Sequence, residues 1–279
     1  MKASVVITLY KDLQSLGLVL KALQRQTYKN FEVIVAEDDD AKETIEFLKY
    51  FDNLEIVHLS QADTGRNKVI IQNKAIGKAS GEYLIFIDGD IVPFKHFVEY
   101  SLKIAEPKCI LSGRRVNLNK ELTAKVKNEE IKIEDIENHY LQFCIKNRSD
   151  RNARVEQGIQ VNPKGFIYKY ILSKRKRNTE IIGCNFSCFK EDMIAINGFD
   201  EGYFETAVAD DIDLTWRFKS AGYILKSSKN IANCFHLWHK FVETKAFEST
   251  SDFERFYKNK DANLFKCKDG VKRTLKLGS

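Results

Sequence analysis

Two aspartates separated by a glycine, Asp88-Gly89-Asp90, directly follow the short apolar run 83–87. Carboxylates held this close can bind one hard divalent cation and the ribose of a nucleotide, and the glycine allows a tight turn. Such a cation would act as a Lewis acid that stabilises a leaving diphosphate. A surface turn rich in Asp and Gly is the simpler alternative. Because Asp38 ends a neighbouring predicted strand, the pattern favours a metal and nucleotide site.

Three more aspartates, Asp210, Asp211 and Asp213, open a segment with helical spacing. Asp210 and Asp211 would lie at the helix N-terminus, where the helix dipole favours ionised carboxylates. An ionised carboxylate is what a general base for a sugar hydroxyl requires, and Asp213 can pair with Arg217 one turn later. Capping of the helix is the alternative interpretation, but it would account for only one aspartate. The cluster therefore favours a catalytic function.

Two histidines, His236 and His239, follow a predicted strand over residues 230–235. Residues three apart share a face on a helix but not on a strand. The pattern alone therefore leaves open a metal site or one structural and one exposed histidine. Because the other candidate ligands are oxygens, Mn²⁺ suits this site better than zinc, and we expect Mn²⁺ or, in its place, Mg²⁺.

Short apolar strands alternate with amphipathic helices in the N-terminal part of the chain. This order predicts right-handed βαβ crossovers and a mostly parallel sheet with flanking helices, and ligands bind beyond the carboxyl ends of such strands. The residues at these strand ends that would face one crevice are Thr8, Tyr10, Asp38, Asp88 and Asp90. The predicted strands are 5–9, 31–36, 54–59 and 83–87, and the predicted helices are 13–26, 44–50 and 68–79.

The composition is that of a globular chain, with 279 residues, 43% hydrophobic and 30% charged. This is enough for one large α/β domain or two small ones. No apolar run approaches the ~20 residues of a membrane span. The sequence also lacks a charged leader followed by an apolar region, so no secretory signal is expected. The six cysteines form no C-x-x-C pair, which predicts free thiols and a cytoplasmic location.

The net charge of +6 is unevenly distributed, with basic blocks at 174–177 and 255–276. Solvated surface is one interpretation of these blocks. A peripheral contact with an anionic membrane, or with an anionic acceptor, is the other. Nucleic acid is not favoured as a partner, because no recognition motif accompanies the charge.

Together these features resemble the inverting GT-A glycosyltransferases of family 2, in the regions 3–95 and 181–240. The C-terminal part looks like the galactosyltransferase C-terminal module of chondroitin-polymerase-type and β-1,4-galactosyltransferase-type enzymes. The resemblance implies a GT-A fold, which is an α/β fold with a Rossmann-like, mostly parallel central sheet and flanking helices. The segments that match the module in order are Gly183-Cys184-Asn185-Phe186-Ser187, Asn197-Gly198-Phe199-Asp200-Glu201 and Asp210-Asp211-Ile212-Asp213-Leu214.

The resemblance also implies a donor site for a UDP-sugar. Thr8 and Tyr10 would lie under the uracil, and Asp38 would bind its N–H. Arg66, with Lys68 behind it, would reach the diphosphate. The residues implied in donor binding are Thr8, Tyr10, Asp38, Arg66, Lys68, Asp88 and Asn185.

On the acceptor side, the resemblance implies that Asp211 is the catalytic base. Asp210 stands where a Glu is usual and would bind the acceptor hydroxyl. Asp90 would be the direct metal ligand, and His236 would complete the metal site, with His239 less favoured.

The implied organisation has four parts. The stretch 119–177 is polar and has little periodicity apart from a predicted helix over 134–145, so we interpret it as an inserted or mobile acceptor-side segment. The expected parts are a nucleotide-sugar-binding part over 1–115, a variable insertion over 116–180, an acceptor-binding and catalytic-base part over 181–250 and a basic tail over 251–279.

The implied reaction is metal-dependent, inverting transfer of a hexose or N-acetylhexosamine from a UDP-sugar to a saccharide acceptor. The abundance of Lys, Asn and Ile is typical of an AT-rich bacterial genome and suggests surface polysaccharide synthesis, with a lipid-linked acceptor at the inner membrane. Because Asp39-Asp40 replaces the usual Gly-Ser and the Trp-Gly dipeptide before the aspartate cluster is missing, the donor sugar stays open. One alternative is a non-catalytic nucleotide-sugar or carbohydrate-binding protein. A sugar nucleotidyltransferase is disfavoured, because residues 9–17 contain no glycine-rich phosphate loop.

Overall fold

A seven-stranded sheet and a three-stranded sheet form the framework of the computed structural model. The residues that the structure describes are 1–65, 67–175, 177–206, 208–240 and 247–273. In chain order the strands are β1 (Ala3–Leu9), β2 (Phe31–Glu37), β3 (Ile56–Ser60), β4 (Tyr83–Asp88), β5 (Ile91–Pro93), β6 (Cys109–Ser112), β7 (Val116–Asn117), β8 (Asn185–Phe189), β9 (Ile224–Ser227) and β10 (Cys234–His236). The central sheet has the order β3-β2-β1-β4-β8-β6-β9, and the smaller sheet has the order β5-β10-β7.

Helices flank the central sheet and connect its parallel strands. The α-helices among the described residues are α1 (Leu13–Gln24), α2 (Lys42–Leu48), α3 (Lys68–Lys78), α4 (Phe97–Lys103), α5 (Lys120–Lys127), α6 (Ile133–Asn138), α7 (Tyr140–Asn147), α8 (Phe166–Tyr170), α9 (Lys190–Ala195), α10 (Ile212–Ser220) and α11 (Ser251–Asp261). None of these described helices combines the length and the apolar character needed to span a bilayer.

The central sheet is mostly parallel, as predicted. Strand β1 runs parallel to both β2 and β4, and it places Thr8 opposite Ala36 on one side and Asp88 on the other. Of the strands described in this sheet, β8 alone is antiparallel to its neighbours. The carboxyl ends of β1, β2 and β4 therefore meet at one edge, where ligands bind in folds of this kind.

Strand β1 is mostly hydrophobic because helices cover both faces of the sheet. Val5 and Ile7 pack in the core that contains Leu16 of α1. Val6 points to the opposite face and packs in a second core with Ile71 of α3. The period-two alternation of a strand thus supplies both cores from one short apolar run.

The smaller sheet corrects one predicted element. The expected strand over 230–235 is reduced to β10, which begins only at Cys234. Asn230 has a φ of 69°, and the N–H groups of Ile231 and Ala232 both donate to the carbonyl of Ser228. This turn uses the donors that a strand would have offered to a neighbour, so the strand starts later.

The segment between the two regions of resemblance, 3–95 and 181–240, is folded onto the core and contains more helix than the sequence predicts. The expected helix over 134–145 is two helices, α6 and α7, which are separated at His139. Tyr140 is buried against the main core, and its hydroxyl donates to the carbonyl of Val155 at 2.6 Å. Short helices that carry only one or two buried residues give little periodicity, which explains why the sequence understates their order.

A buried ion pair joins successive turns of α10. Arg217 Nε donates to Asp213 Oδ2 at 2.6 Å, and the two side chains are 1% and 0% exposed. The other guanidinium nitrogens donate to the carbonyls of Ile196 and Gly198, and Tyr203 donates to the second carboxylate oxygen. The structure confirms the pairing that the sequence spacing predicts.

Replacing Arg217 by Met should lower the free energy of unfolding by about 3–5 kcal/mol, because it leaves a buried carboxylate without its counter-ion. Urea unfolding followed by circular dichroism measures the change. The matched control is Lys219→Met on the exposed side of the same helix, for which we expect a change within about 0.5 kcal/mol. Equal stability of the two variants would contradict a structural role for the pair.

Candidate active site

The aspartate-glycine-aspartate motif turns sharply at the carboxyl end of β4. Gly89 N donates to the carbonyl oxygen of Thr8 at 2.8 Å. A Cβ at Gly89 would lie 3.2 Å from the same oxygen, which is tighter than an ordinary contact. Glycine therefore lets the turn stay close to β1 while Asp88 and Asp90 flank it.

Lys68, at the start of α3, connects the two aspartate clusters. Its Nζ lies 2.8 Å from Asp88 Oδ1 and 2.6 Å from Asp210 Oδ2. Burial opposes the charge of Lys68, but the charges of Asp210 and Asp88 outweigh this and raise its pKa above the usual range. Burial raises the pKa of Asp88, with Asp90 and Asp210 adding to the effect. The motifs that are far apart in sequence thus form one charged site.

Asp211 does not cap the helix that it precedes. Its side chain makes no capping hydrogen bond to α10, and instead its Oδ1 accepts a short hydrogen bond from Gly183 N. A Cβ on Gly183 would lie 2.6 Å from Asp210 Oδ2, so only glycine permits this approach. Burial and the charge of Asp210 raise the pKa of Asp211 to about 6, which suits a group that accepts protons near neutral pH.

Asp90, His236 and His239 form a cluster suited to a metal ion. Asp90 Oδ2 lies 3.3 Å from His236 Nε2 and 3.5 Å from His239 Nε2, and one ligand atom from each residue lies within 4.8 Å of the others. Adjacent ligands around an octahedral ion with bonds of about 2.1 Å are about 3 Å apart. The spacing therefore fits a divalent cation, and both histidines lie close to the same carboxylate, where the sequence favoured His236.

The two histidines face the same aspartate because the chain leaves β10 after His236. Leu237 N donates to the carbonyl of Asp90 at 3.0 Å, and Trp238 N donates to Thr123 Oγ1 at 2.9 Å. These bonds turn the chain and bring His239 back toward the site. The expectation that residues three apart on a strand diverge does not apply once the strand has ended.

Asn117 on β7 orients His236 from the other side. The register pairs the two residues, and Asn117 Oδ1 lies 3.2 Å from His236 Nδ1. With a proton on Nδ1 for this bond, Nε2 keeps its lone pair directed toward Asp90 and the cluster. A hydrogen-bond partner of the second ring nitrogen fixes the tautomer of a metal-binding histidine in this way.

The residues predicted to hold the nucleotide line the ends of β1 and β2. The carboxylate of Asp38 is buried and accepts from Gln61 Nε2 at 2.7 Å and from Asn67 N at 3.0 Å. Thr8 Oγ1 accepts from Gln72 Nε2 at 3.0 Å. Both side chains are thus fixed in place by neighbours from the α3 region, and their contact with a base stays a prediction.

Three other predicted donor residues differ in placement. Tyr10 is 56% exposed at the rim, where its hydroxyl donates to Asp63 Oδ2 at 3.2 Å. Asn185 is buried, and its Nδ2 donates to the carbonyl of Arg114 at 3.1 Å, so its amide nitrogen already has a protein acceptor. Arg66 lies outside the described residues. Their donor contacts also stay predictions.

Arg115 belongs to this site although it was not predicted from the sequence. Its Nη1 donates to Cys184 Sγ at 2.8 Å, and the charges of Asp88 and Asp211 act on its guanidinium. The residue follows β6 at the same edge of the sheet. A signal was present, since Gly113-Arg114-Arg115 comes directly after a short apolar strand, but β6 itself was not predicted.

Comparisons with protein families match both regions singled out by the sequence. The model described as glycosyl transferase family 2 matches residues 4–191. The model described as the N-terminal domain of galactosyltransferase matches residues 169–240, in the C-terminal part of this chain. The two matches overlap across β8, so together they cover residues 4–240 without a gap.

Individual relatives agree with the family matches. The amylovoran biosynthesis glycosyltransferase AmsB of Erwinia amylovora is 33% identical over 107 residues, which cover 37% of this chain and 35% of that protein. This chain therefore spans about a third of the length of that curated relative. Among solved structures, S. aureus TarS 1-349 in complex with UDP has a TM-score of 0.60 at 15% identity, covering 98% of this chain and 68% of that one. GalNAc-T7 with UDP, GalNAc and Mn²⁺ has a TM-score of 0.61 at 11% identity, covering 94% of this chain and 49% of that one. These structural neighbours show that the fold is GT-A, as the sequence predicted.

Proposed function

The chain belongs to glycosyl transferase family 2, and we propose that it transfers a hexose or N-acetylhexosamine from a UDP-sugar to a hydroxyl of a saccharide acceptor, inverting the anomeric carbon. The observation that carries this proposal is the convergence of Asp88, Asp210 and Asp211 around Lys68, beside the Asp90 cluster. A cation held by such ligands can stabilise a leaving diphosphate. A carboxylate with a raised pKa can accept the proton of an attacking hydroxyl.

On the donor side, Thr8 and Asp38 hold the uracil end, and Asp88 contacts the ribose. Lys68 and Arg115 face the diphosphate, where their positive charge offsets the charge that develops as UDP leaves. We retain Arg66 as a further contact to the diphosphate. The region 1–115 is thus proposed as the nucleotide-sugar part, and 181–250 as the part that binds the acceptor and supplies the base.

Asp90, His236 and His239 would hold the divalent cation, for which we propose Mn²⁺ or Mg²⁺. When bound, such an ion neutralises the diphosphate and favours its departure. Asn117 keeps the proton of His236 on Nδ1, so that Nε2 is free to act as a ligand. The Mn²⁺ that accompanies UDP in the GalNAc-T7 structure supports this choice.

Asp211 acts on the acceptor. Its carboxylate takes the proton of the acceptor hydroxyl, and the oxygen forms a bond to the anomeric carbon from the face opposite UDP. The bond between that carbon and the UDP oxygen breaks, and UDP leaves with the electron pair. Gly183 N holds Asp211 in position by its hydrogen bond, while Asp210 is placed to bind the same hydroxyl.

The test is release of UDP from a panel of UDP-sugars, with Mn²⁺ and then with EDTA. We expect slow release from one sugar with Mn²⁺ and none with EDTA, and the sugar that reacts identifies the donor. Release that continues unchanged in EDTA would contradict the metal dependence. Absence of both release and UDP binding would contradict the proposed function.

We also propose that the acceptor is a lipid-linked saccharide at the inner face of a bacterial membrane, and that the product is a surface polysaccharide. The role of AmsB in amylovoran biosynthesis supports this setting. The basic residues of α11 and the residues after it are compatible with a peripheral contact to anionic lipid. The enzyme itself would then remain on the cytoplasmic side.

The rate should depend on pH through Asp211. Because its pKa is raised to about 6, the base is protonated below this value. We expect kcat/KM for the acceptor to fall about tenfold per pH unit below pH 6 and to level off above pH 7. To separate the protonation of the histidines from that of Asp211, the Mn²⁺ concentration is raised at each pH until the rate no longer increases. A profile that is flat from pH 5 to 7 would contradict the assignment of the base.

A further inference from the structure

A polar cavity lies at the edge of the central sheet that is formed by β9. Its volume is about 750 Å³, which is large enough for a ligand of several groups. It opens near the end of β9 and next to the loop that follows β6. Its lining includes Arg114, Arg154, Arg175, Arg177 and Lys229.

The cavity has far more positive than negative charge. Its five cationic side chains face a single lining carboxylate, Glu156, whose Oε1 lies 3.1 Å from Lys229 Nζ. Arg154 and Arg175 are exposed and make no ion pair with any residue that the structure describes. The basic block 174–177, which the proposed reaction does not use, contributes two of these cations.

Arg114 is the strongest sign of an anion site. It is only 9% exposed, yet its guanidinium donates only to neutral oxygens, among them the carbonyls of Asn178 and Glu180 at 2.8 and 3.3 Å. Burial lowers the pKa of Arg114, and the like charges of Arg115 and Arg154 add to this, while the charge of Glu180 acts in the opposite direction. A buried cation without a hydrogen-bonded carboxylate is costly, and an anionic ligand would compensate that cost.

The cavity is connected to the proposed base by a short segment. Asn178 and Glu180 hold Arg114 through their carbonyl groups, and Gly183 holds Asp211. The six residues from Asn178 to Gly183 are joined by five peptide bonds, which span at most about 18 Å. One acceptor molecule can therefore reach both places.

We propose that this pocket binds a phosphate group carried by the saccharide acceptor. The inference rests on the proposed function, since the acceptor hydroxyl must reach Asp211. Phosphate fits better than a single carboxylate because it carries up to two charges and three strong acceptor oxygens, and arginine forks bind it with paired hydrogen bonds.

The test compares two double variants of equal net charge by calorimetric titration with inorganic phosphate at constant ionic strength. Arg154→Gln with Arg175→Gln removes two lining cations. Arg151→Gln with Lys174→Gln removes two exposed cations that are close in sequence and outside the lining. No metal is added, so the ionised carboxylates of the other site repel phosphate. We expect phosphate affinity to fall about tenfold in the first pair and less than about twofold in the second.

Equal affinities in the two double variants would overturn the proposal, because general electrostatics would then explain binding. Flotation with phosphatidylglycerol vesicles tests the membrane alternative. Loss of vesicle binding in the lining variant, with phosphate affinity retained, would identify a lipid contact and also overturn the proposal.

UDP release without acceptor should be unchanged in the lining variant. If the wild-type protein neither releases nor binds UDP while phosphate still binds in the pocket, the proposed function fails and the acceptor assignment fails with it, whereas the anion site stands.

Discussion

Replacing Asp211 by Asn should lower kcat for sugar transfer by about 10²- to 10⁴-fold. The amide keeps the size and the hydrogen bonding of the side chain but cannot take the proton of the acceptor hydroxyl. Binding of UDP with Mn²⁺ should change less than about twofold, because Asp211 acts on the acceptor and not on the nucleotide. Initial rates with the identified donor and acceptor, together with calorimetric UDP titration, measure both effects.

Two further variants make the result specific to Asp211. Asp261→Asn at the exposed end of α11 removes a carboxylate far from the site and should leave kcat within about twofold. Asp210→Asn should weaken both acceptor binding and the ion pair with Lys68. If Asp211→Asn retains wild-type kcat while Asp210→Asn loses it, the base is Asp210 and the present assignment is wrong.

Replacing His236 by Ala should raise the Mn²⁺ concentration that gives the half-maximal rate by at least about 100-fold. Loss of a residue that only hydrogen-bonds to a metal ligand lowers metal affinity by about 10- to 100-fold. Loss of the ligand itself should lower it further. The measurement is UDP release as a function of Mn²⁺ concentration.

His139→Ala is the matched control, because His139 is exposed and belongs to no described metal cluster. It should keep the wild-type Mn²⁺ dependence. The variant His239→Ala then reports whether the second histidine is also a ligand. Unchanged Mn²⁺ activation in both His236→Ala and His239→Ala would contradict the metal site at Asp90.

The part of the fold that the sequence predicts well is the part with regular periodicity. Val5 and Ile7 face one core and Val6 the other, and this alternation within a short apolar run marks a strand that is covered on both faces. The predicted strand ends brought Thr8 and Asp88 to one edge because parallel strands in register must end together. Topology of this kind follows from element order alone.

The elements that the sequence did not predict depend on contacts between distant residues. The break at His139 and the late start of β10 are set by single buried anchors and by turn hydrogen bonds, which leave no periodic signal. The same holds for His239, whose position depends on the turn after His236. Local patterns cannot show which distant segment will accept a backbone hydrogen bond.

Charge pairing in the site shows the same limit. Lys68 was predicted, after Arg66, to contact the diphosphate, and this stays a prediction. The sequence did not show that Lys68 also connects Asp88 with Asp210, which lies 142 positions after Lys68 in the chain. Arg115 was not selected at all, because its strand was not predicted. Motifs identified the acidic residues, whereas their basic partners emerged only from the packing of α3 and β6 against them.

The most direct test of the account is a crystal structure with UDP and Mn²⁺, with an anomalous difference map to locate the metal. We expect one strong peak within bonding distance of Asp90 and His236, with the diphosphate beside it near Lys68 and the uracil between Thr8 and Asp38. A metal bound elsewhere, or a nucleotide outside the edge formed by β1, β2 and β4, would contradict the proposed site and the mechanism built on it.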